Sequence, residues 1–316
     1  MRVILYVAQH YEAIIYFDKA LAIRPNYITA LDNKAFSLRQ LGRDNEAINY
    51  FDKAISIDPT NTKPLNGKGL ALFTLGKYNE AINYFDKALS IEPNDSDALN
   101  NKGLALANSG NYSGAIIHYD KALAIDPNDI TVLSNKGSAL LNLGKYNEAI
   151  GNYDKALAIN PKDTTILNHK GEVLYSLGKY NEAIGYYDKA LAIEPDHANV
   201  LSNKGLALKG LGNYSGAIIY FDKALAIEPN DTTILNNKGL ALDNLGKSKE
   251  AIIYFDKALA IEPNDAVVLN DKGVSLANMG NYYEAMKYID KALAIRPDYA
   301  TALDNKNKIL NLLGKK

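Results

Sequence analysis

The chain has 316 residues, with 35 lysines and arginines against 36 aspartates and glutamates, and no cysteine. A net charge of −1 speaks against the broad basic face that a nucleic-acid binder needs and against electrostatic attraction to a membrane. Without cysteine there is no disulfide framework and no thiolate metal site, and no apolar run nears the ~20 residues of a membrane span.

Residues 1–27 read as an incomplete unit. Arg2 and the apolar residues 3–8 resemble a short signal peptide only weakly, because no clear small-x-small cleavage site follows. The preferred reading is a degraded first helix, then a second helix carrying Ala13, Phe17 and Ala20 before Pro25. The sequons at Asn94, Asn111, Asn213 and Asn230 matter only in a secreted chain, and a cytoplasmic location is expected. Eight complete units of 34 residues follow over 28–299, starting at Ile28, Thr62, Ser96, Ile130, Thr164, Ala198, Thr232 and Ala266. Prolines close them in step from Pro25 to Pro297, and turn glycines keep the same step from Gly42 to Gly314. Residues 300–316 are a lone helix whose Asn307, Lys308, Lys315 and Lys316 suit a solvating cap. The front end is less well capped, with Val3, Ile4, Leu5 and Val7 close together. No linker interrupts 1–316, so a single array is expected. The shared Arg24-Pro25-Asn26-Tyr27 and Arg296-Pro297-Asp298-Tyr299 segments, each followed by a TALDNK stretch, point to tandem duplication.

The unit at Ile130 shows why the chain folds this way. Taking Ile130 as position 1, Leu133, Gly137 and Leu140 (positions 4, 8 and 11) share one stripe of a helix A. Gly144 ends that helix, since glycine accepts the left-handed conformation of a helix C-terminus. Asn147 is read as the cap of helix B, with Glu148 favoured in its first turn. Ala149, Tyr153, Ala156 and Leu157 form the stripe of helix B, Pro161 stops it, and Asp163 caps the next helix A. Leu140, Tyr153 and Ile159 are expected to fill the space between helices, and Ala149→Leu to overpack it at about 1–3 kcal/mol. One helix pair leaves an apolar face uncovered, so such units must stack.

A 34-residue helix–turn–helix with small residues at positions 8, 20 and 27, an aromatic at 24 and proline at 32 resembles the tetratricopeptide repeat. Leu133, Lys136 and Leu140 stand where that family carries an aromatic, a leucine and a tyrosine. The resemblance covers the whole chain and implies an all-α, right-handed α-solenoid of tetratricopeptide repeats that acts as a non-enzymatic protein–protein interaction scaffold.

Catalysis needs a singular constellation, whereas most charged residues here recur in every unit. Aspartate at position 25 runs from Asp18 to Asp290 and lysine at position 7 from Lys34 to Lys306. These are read as a structural pair between packed helices, with the lysine stem along the core. The pairing is left open between partners in one unit and partners in neighbouring units. His10, His118, His169 and His197 fall at unrelated positions and imply no metal triad, and no glycine loop cradles a phosphate. No cofactor and no metal are expected.

If positions 4, 8 and 11 face the core, positions 2, 6, 9 and 13 face the opposite way. The resemblance makes that side of helix A the concave, partner-binding groove. Asn33, Asn101, Asn135, Asn203 and Asn237 occupy position 6. Leu70, Leu104, Leu206 and Leu240 occupy position 9, and Asn108, Asn142 and Asn244 occupy position 13. An asparagine row offers donor and acceptor to an extended peptide backbone, and the leucines accept its apolar side chains. The row is similar to the asparagine ladder of some long tetratricopeptide grooves, including the one attached to the O-linked N-acetylglucosamine transferase. The alternative is that these asparagines are solvated helix residues copied by duplication and that the leucines touch the neighbouring helix A. Ser138, His169, Glu172 and Tyr175 break the pattern and mark a selective segment. The basic clamp of co-chaperone repeats is not expected, since among positions 2 and 5 only Lys63 is basic. The expected partner is a protein or peptide, not nucleic acid or membrane. The rival reading is self-association through the N-terminal end, to be tested with Ile4→Lys.

Overall fold

The computed structural model describes residues 2–314, with side chains from residue 7 onward. Among the described residues it holds eighteen α-helices and no strand. It divides into two compact units, Met1–Pro161 and Lys162–Lys316. The first contains α1 (Arg2–Ile23), α2 (Ile28–Gln40), α3 (Asp44–Ile57), α4 (Thr62–Thr74), α5 (Tyr78–Ile91), α6 (Ser96–Asn108), α7 (Tyr112–Ile125), α8 (Ile130–Asn142) and α9 (Tyr146–Ile159). The second contains α10 (Thr164–Ser176), α11 (Tyr180–Ile193), α12 (Ala198–Gly210), α13 (Tyr214–Ile227), α14 (Thr232–Asn244), α15 (Ser248–Ile261), α16 (Ala266–Asn278), α17 (Tyr282–Ile295) and α18 (Ala300–Leu313). Each unit is a stack of antiparallel helix pairs, an α-solenoid.

The front of the chain differs from its expected helix–turn–helix. α1 is one continuous helix, because the position that carries a turn glycine in every complete unit is Ala8. The expectation built on Val3, Ile4 and Leu5 concerns side chains outside the described residues, as do Lys315 and Lys316. Val7, Tyr11, Ile15 and Tyr16 are exposed.

Within each repeat the turn is a Schellman arrangement. At α8 the Lys145 N–H donates to the Leu140 carbonyl at 2.9 Å and the Gly144 N–H to that of Leu141 at 2.9 Å, with Gly144 at φ 70°. Gly314, by contrast, sits at φ −75° and makes no such turn. Helix B starts earlier than a cap at Asn147 would require. Lys145 is the cap residue of α9 and its side chain makes no capping bond, and Asn147 lies inside the helix. Where the cap position is itself asparagine, Asn111 and Asn213 accept from Gly114 and Gly216 N–H, whereas Asn281 gives no such bond. Asp163 caps α10 as expected, accepting from Ile166 N–H at 3.1 Å.

Helix A is buried on two faces. Leu133, Gly137 and Leu140 are buried, as read from sequence, and so are Val132 and Ala139 at positions 3 and 10. Val132 and Ala139 join Leu99, Ala115, Tyr119 and Ala122 in one cluster, so the core runs across the repeat boundary. The same pattern recurs around Phe221 and Phe255 in the second unit. Ala149, Tyr153 and Ala156 are fully buried, but Ile159 remains 45 % exposed at the helix end and fills no core space. The position-8 glycines are required by contact: a Cβ on Gly103 would lie 2.5 Å from the Tyr119 ring, and one on Gly137 would lie 2.6 Å from that of Tyr153.

Candidate functional site

The helix A face opposite the core carries positions 2, 6, 9 and 13, and these residues are exposed or half-buried in both units. Four asparagines of position 6 are tied sideways. Asn101 Nδ2 donates to Asn66 Oδ1 at 3.2 Å, and Asn135 Nδ2 to Asn100 Oδ1 at 3.0 Å. In the second unit Asn203 donates to Asn168 at 3.0 Å and Asn305 to Asn270 at 3.0 Å. Each bond joins position 6 of one repeat to position 5 of the repeat before it. Position 5 has no such role on sequence reading alone; its signal is the run of Asn66, Asn100, Asn168, Asn236 and Asn270. A primary amide has two N–H donors and a carbonyl, so the sideways bond fixes the amide plane and leaves hydrogen-bonding capacity over.

The remaining predicted residues follow the same face. Asn108, Asn142 and Asn244 are exposed and donate back to the carbonyls of Leu104, Ser138 and Leu240 at 2.8–2.9 Å. Asn33 is exposed. Leu70, Leu206 and Leu240 are half-buried and lean on the core clusters, and Leu104 is half-buried too. Two depressions gather several of these residues in the first unit. One, about 960 Å³, is lined by Asn33 and Leu70 together with Phe36, Phe51 and Lys63. The other, about 320 Å³, is lined by Leu104, Asn108, Asn135 and Asn142 with Ser138.

The pattern-breaking residues fall in different units. In the first, the Ser138 hydroxyl lies 3.0 Å from that of Tyr153. In the second, Glu172 accepts from Asn168 at 2.8 Å and Asn203 at 3.0 Å, and the Tyr175 and Tyr180 rings pack at 5.3 Å. His169 is half-buried. The second unit also holds Lys209, which the sequence does not single out, and Asp271, which replaces the asparagine of position 6. Lys209 donates to Asn237 Oδ1 at 3.0 Å, and burial pulls its pKa down. Asp271 accepts from Asn236 and Asn270, and burial pushes its carboxyl up.

The recurrent lysines and aspartates serve the stack. Lysine at position 7 reaches the position-25 aspartate of the preceding repeat, as in Lys34 to Asp18 and Lys238 to Asp222, and at 2.5 Å in Lys68 to Asp52. The same ammonium meets the position-23 tyrosine of its own repeat; Lys272 lies 2.7 Å from the Tyr288 hydroxyl and 3.9 Å from that ring's centre. Burial works to lower the pKa of Lys34, Lys68, Lys204, Lys238 and Lys272. The bonds to aspartate and tyrosine outweigh it, and the net movement is upward. Among the described residues no group of three or more histidines, aspartates or glutamates is placed to hold a metal, and no helix is long and apolar enough to cross a membrane.

Stacked helix pairs, each closed by a glycine turn and joined through a shared core, define an α-helical repeat protein. Family models described as tetratricopeptide repeat match residues 28–61, 66–130, 163–230, 233–265 and 254–287. The chain belongs to the tetratricopeptide repeat family. A further model, described as anaphase-promoting complex, cyclosome, subunit 3, matches residues 108–190. A search of curated protein sequences finds no match. Among solved structures, the APC/C hetero-tetramer Cut9–Hcn1 is similar at a TM-score of 0.66 and 20 % identity over 93 % of this chain, which spans 58 % of the length of that one. A tetratricopeptide repeat protein from Parabacteroides merdae gives 0.65 and 21 %, covering 79 % of this chain and 98 % of that one. PilW, a type IV pilus biogenesis factor, gives 0.63 and 22 %, covering 66 % and 97 %. At these identities the likeness concerns the fold.

Proposed function

We propose that the chain is a non-enzymatic scaffold that holds an extended segment of a protein partner along the asparagine-lined face of its A helices. The observation that carries this reading is the row of sideways-bonded asparagines beside half-buried leucines. The amides are already fixed in plane, so a backbone that bonds to them orders few side chains on arrival. The face alternates polar rungs with shallow apolar depressions, which suits a chain whose backbone and side chains alternate in the same way. A cytoplasmic setting and a single repeat array over residues 1–316 belong to the same proposal.

The test is selection of a displayed random nonapeptide library on the purified chain. The comparison is a variant with Asn101, Asn135, Asn203 and Asn237 all changed to alanine, its fold verified by circular dichroism. Enriched peptides that bind wild type and lose about tenfold or more on the variant support the reading. Peptides that bind both equally place binding on another face.

A further inference from the structure

The repeat at Ile28 departs from the others in a way that opens a specific cavity. In the later repeats the position-24 side chain lies over the glycine at position 8, leaving no room for a Cβ. Here position 8 is Ala35, whose methyl group occupies that space. The Phe51 ring lies instead over Gly67, where a Cβ would come within 2.5 Å of it. Gly67 stands at position 6, where Asn33, Asn101, Asn135, Asn203 and Asn237 stand in other repeats. One rung is therefore missing, and beneath the gap lies an aromatic ring.

The resulting cavity of about 960 Å³ has Phe51 in its lining, with Phe36 and Leu70 as further apolar wall. It lies within the ~300–1,000 Å³ range of ligand pockets. Asp32 also lines it, beside Lys63. Asp32 is half-buried and, among the described residues, makes no hydrogen bond or ion pair. Burial raises its pKa and the charge of Lys63 pulls it back. A carboxylate held partly out of water calls for a donor. A leucine or phenylalanine entering the cavity would leave it bare. A lysine or arginine is the rival occupant, since Glu92, Asp95 and Asp97 join Asp32 against Lys63 and Arg39 in the same lining, but it would leave the apolar wall of Phe36, Phe51 and Leu70 without a ring to pack on it.

Resting on the groove reading above, we propose that this cavity takes a tyrosine or tryptophan side chain of the partner segment. Its ring packs on Phe51 and Phe36, and its hydroxyl or indole N–H donates to the Asp32 carboxylate. Aromatic pairs and a charge-assisted bond act together here.

The chain contains no tryptophan, so a peptide's own tryptophan fluorescence reports its binding without background. The probe is the tightest peptide from the nonapeptide selection, with its aromatic residue as tryptophan, tyrosine or phenylalanine. It is titrated against the full chain, against Asp32→Asn and against Gly67→Asn, with folding of each variant checked by thermal melting. Enrichment of tyrosine or tryptophan at one peptide position is expected, with about tenfold loss when that residue becomes phenylalanine. The same loss is expected on Asp32→Asn with the original peptide, and no additional loss when both changes are combined. Gly67→Asn, which restores the rung, is expected to weaken binding as well. Since it also crowds Phe51, the isosteric Asp32→Asn decides. Peptides that need Asn135 but tolerate Asp32→Asn, or that carry leucine, phenylalanine, lysine or arginine there in place of tyrosine or tryptophan, overturn the cavity proposal and leave the groove reading standing. A library with no enriched peptide overturns both.

Discussion

At the scale of single residues, the fold depends on glycines that admit a ring. Gly103 is the sharpest case. An added methyl meets Tyr119, which is fully buried, and the escape taken by Phe51 is closed because the next repeat carries Asn135 where Gly67 would be. Gly103→Ala is therefore expected to destabilise the first unit by about 1–3 kcal/mol, measured by urea denaturation. Ala149, also fully buried, sets a second test: Ala149→Leu should lower stability by a similar ~1–3 kcal/mol, and an unchanged melting temperature would count against this packing. These positions were legible in the sequence because a small residue that recurs on an apolar stripe marks a place where two helices come close. Ile159 was not. Its apolar character is set by a helix end that stays half in water, and hydrophobicity alone does not distinguish that from the core.

At the scale of the helix, the unit of cohesion is a lysine shared between two neighbours. Sequence spacing placed lysine at 7 and aspartate at 25 beside the core but left the choice of partner open, because a period of 34 residues puts both candidates at similar reach. The structure resolves it: the aspartate comes from the repeat before and a tyrosine from the lysine's own repeat. A double-mutant cycle on Lys238 and Asp222 is expected to return a coupling of about 1 kcal/mol; a value near zero removes the pair from the account. Two repeats lack the tyrosine. His118 and Asn152 take its place, and the Lys102 and Lys136 side chains are 15 % and 20 % exposed, against 7–11 % for Lys34, Lys68, Lys204, Lys238 and Lys272. H118Y should restore the contact and raise stability by about 0.5–1 kcal/mol. His118 also gives a pH signature. Burial holds its pKa below 6.5, partly opposed by its bond to the Gly114 carbonyl, so the unfolded chain takes up the proton more readily. Its contribution is present above pH 6.5 and is lost as pH falls from there through its lower folded value, and H118Y should flatten this part of the melting profile. A steeper profile in the variant would contradict the assignment.

At the scale of the whole molecule, the 34-residue helix pairs were read from period and small residues, and the helices appear where the glycines and prolines put them, except at the front, where α1 is one helix in place of the expected pair. What the sequence concealed is how the binding face is built. An asparagine looks the same in sequence whether it faces solvent or bonds to a neighbour 35 residues away, as Asn101 does to Asn66. Lys209 was hidden for the same reason, and Asp271 was visible only as a break in the asparagine row, since only folding brings three successive A helices side by side. Their burial raises the stakes of the face in the second unit. Losing either charge should alter binding there more than losing a fully exposed one, because charges partly withdrawn from water interact more strongly. K209M and D271N, each titrated with a selected peptide, are expected to shift affinity in opposite directions for a peptide carrying net charge. No change in affinity from either substitution would show that neither meets the ligand. The most direct measurement of the central claim is photo-crosslinking of a selected peptide to two single-site variants. One carries benzoylphenylalanine in place of Asn142 on the asparagine face, the other in place of Ile117, which is exposed on helix α7. The account predicts a covalent adduct at 142 and none at 117; an adduct confined to 117 would contradict it.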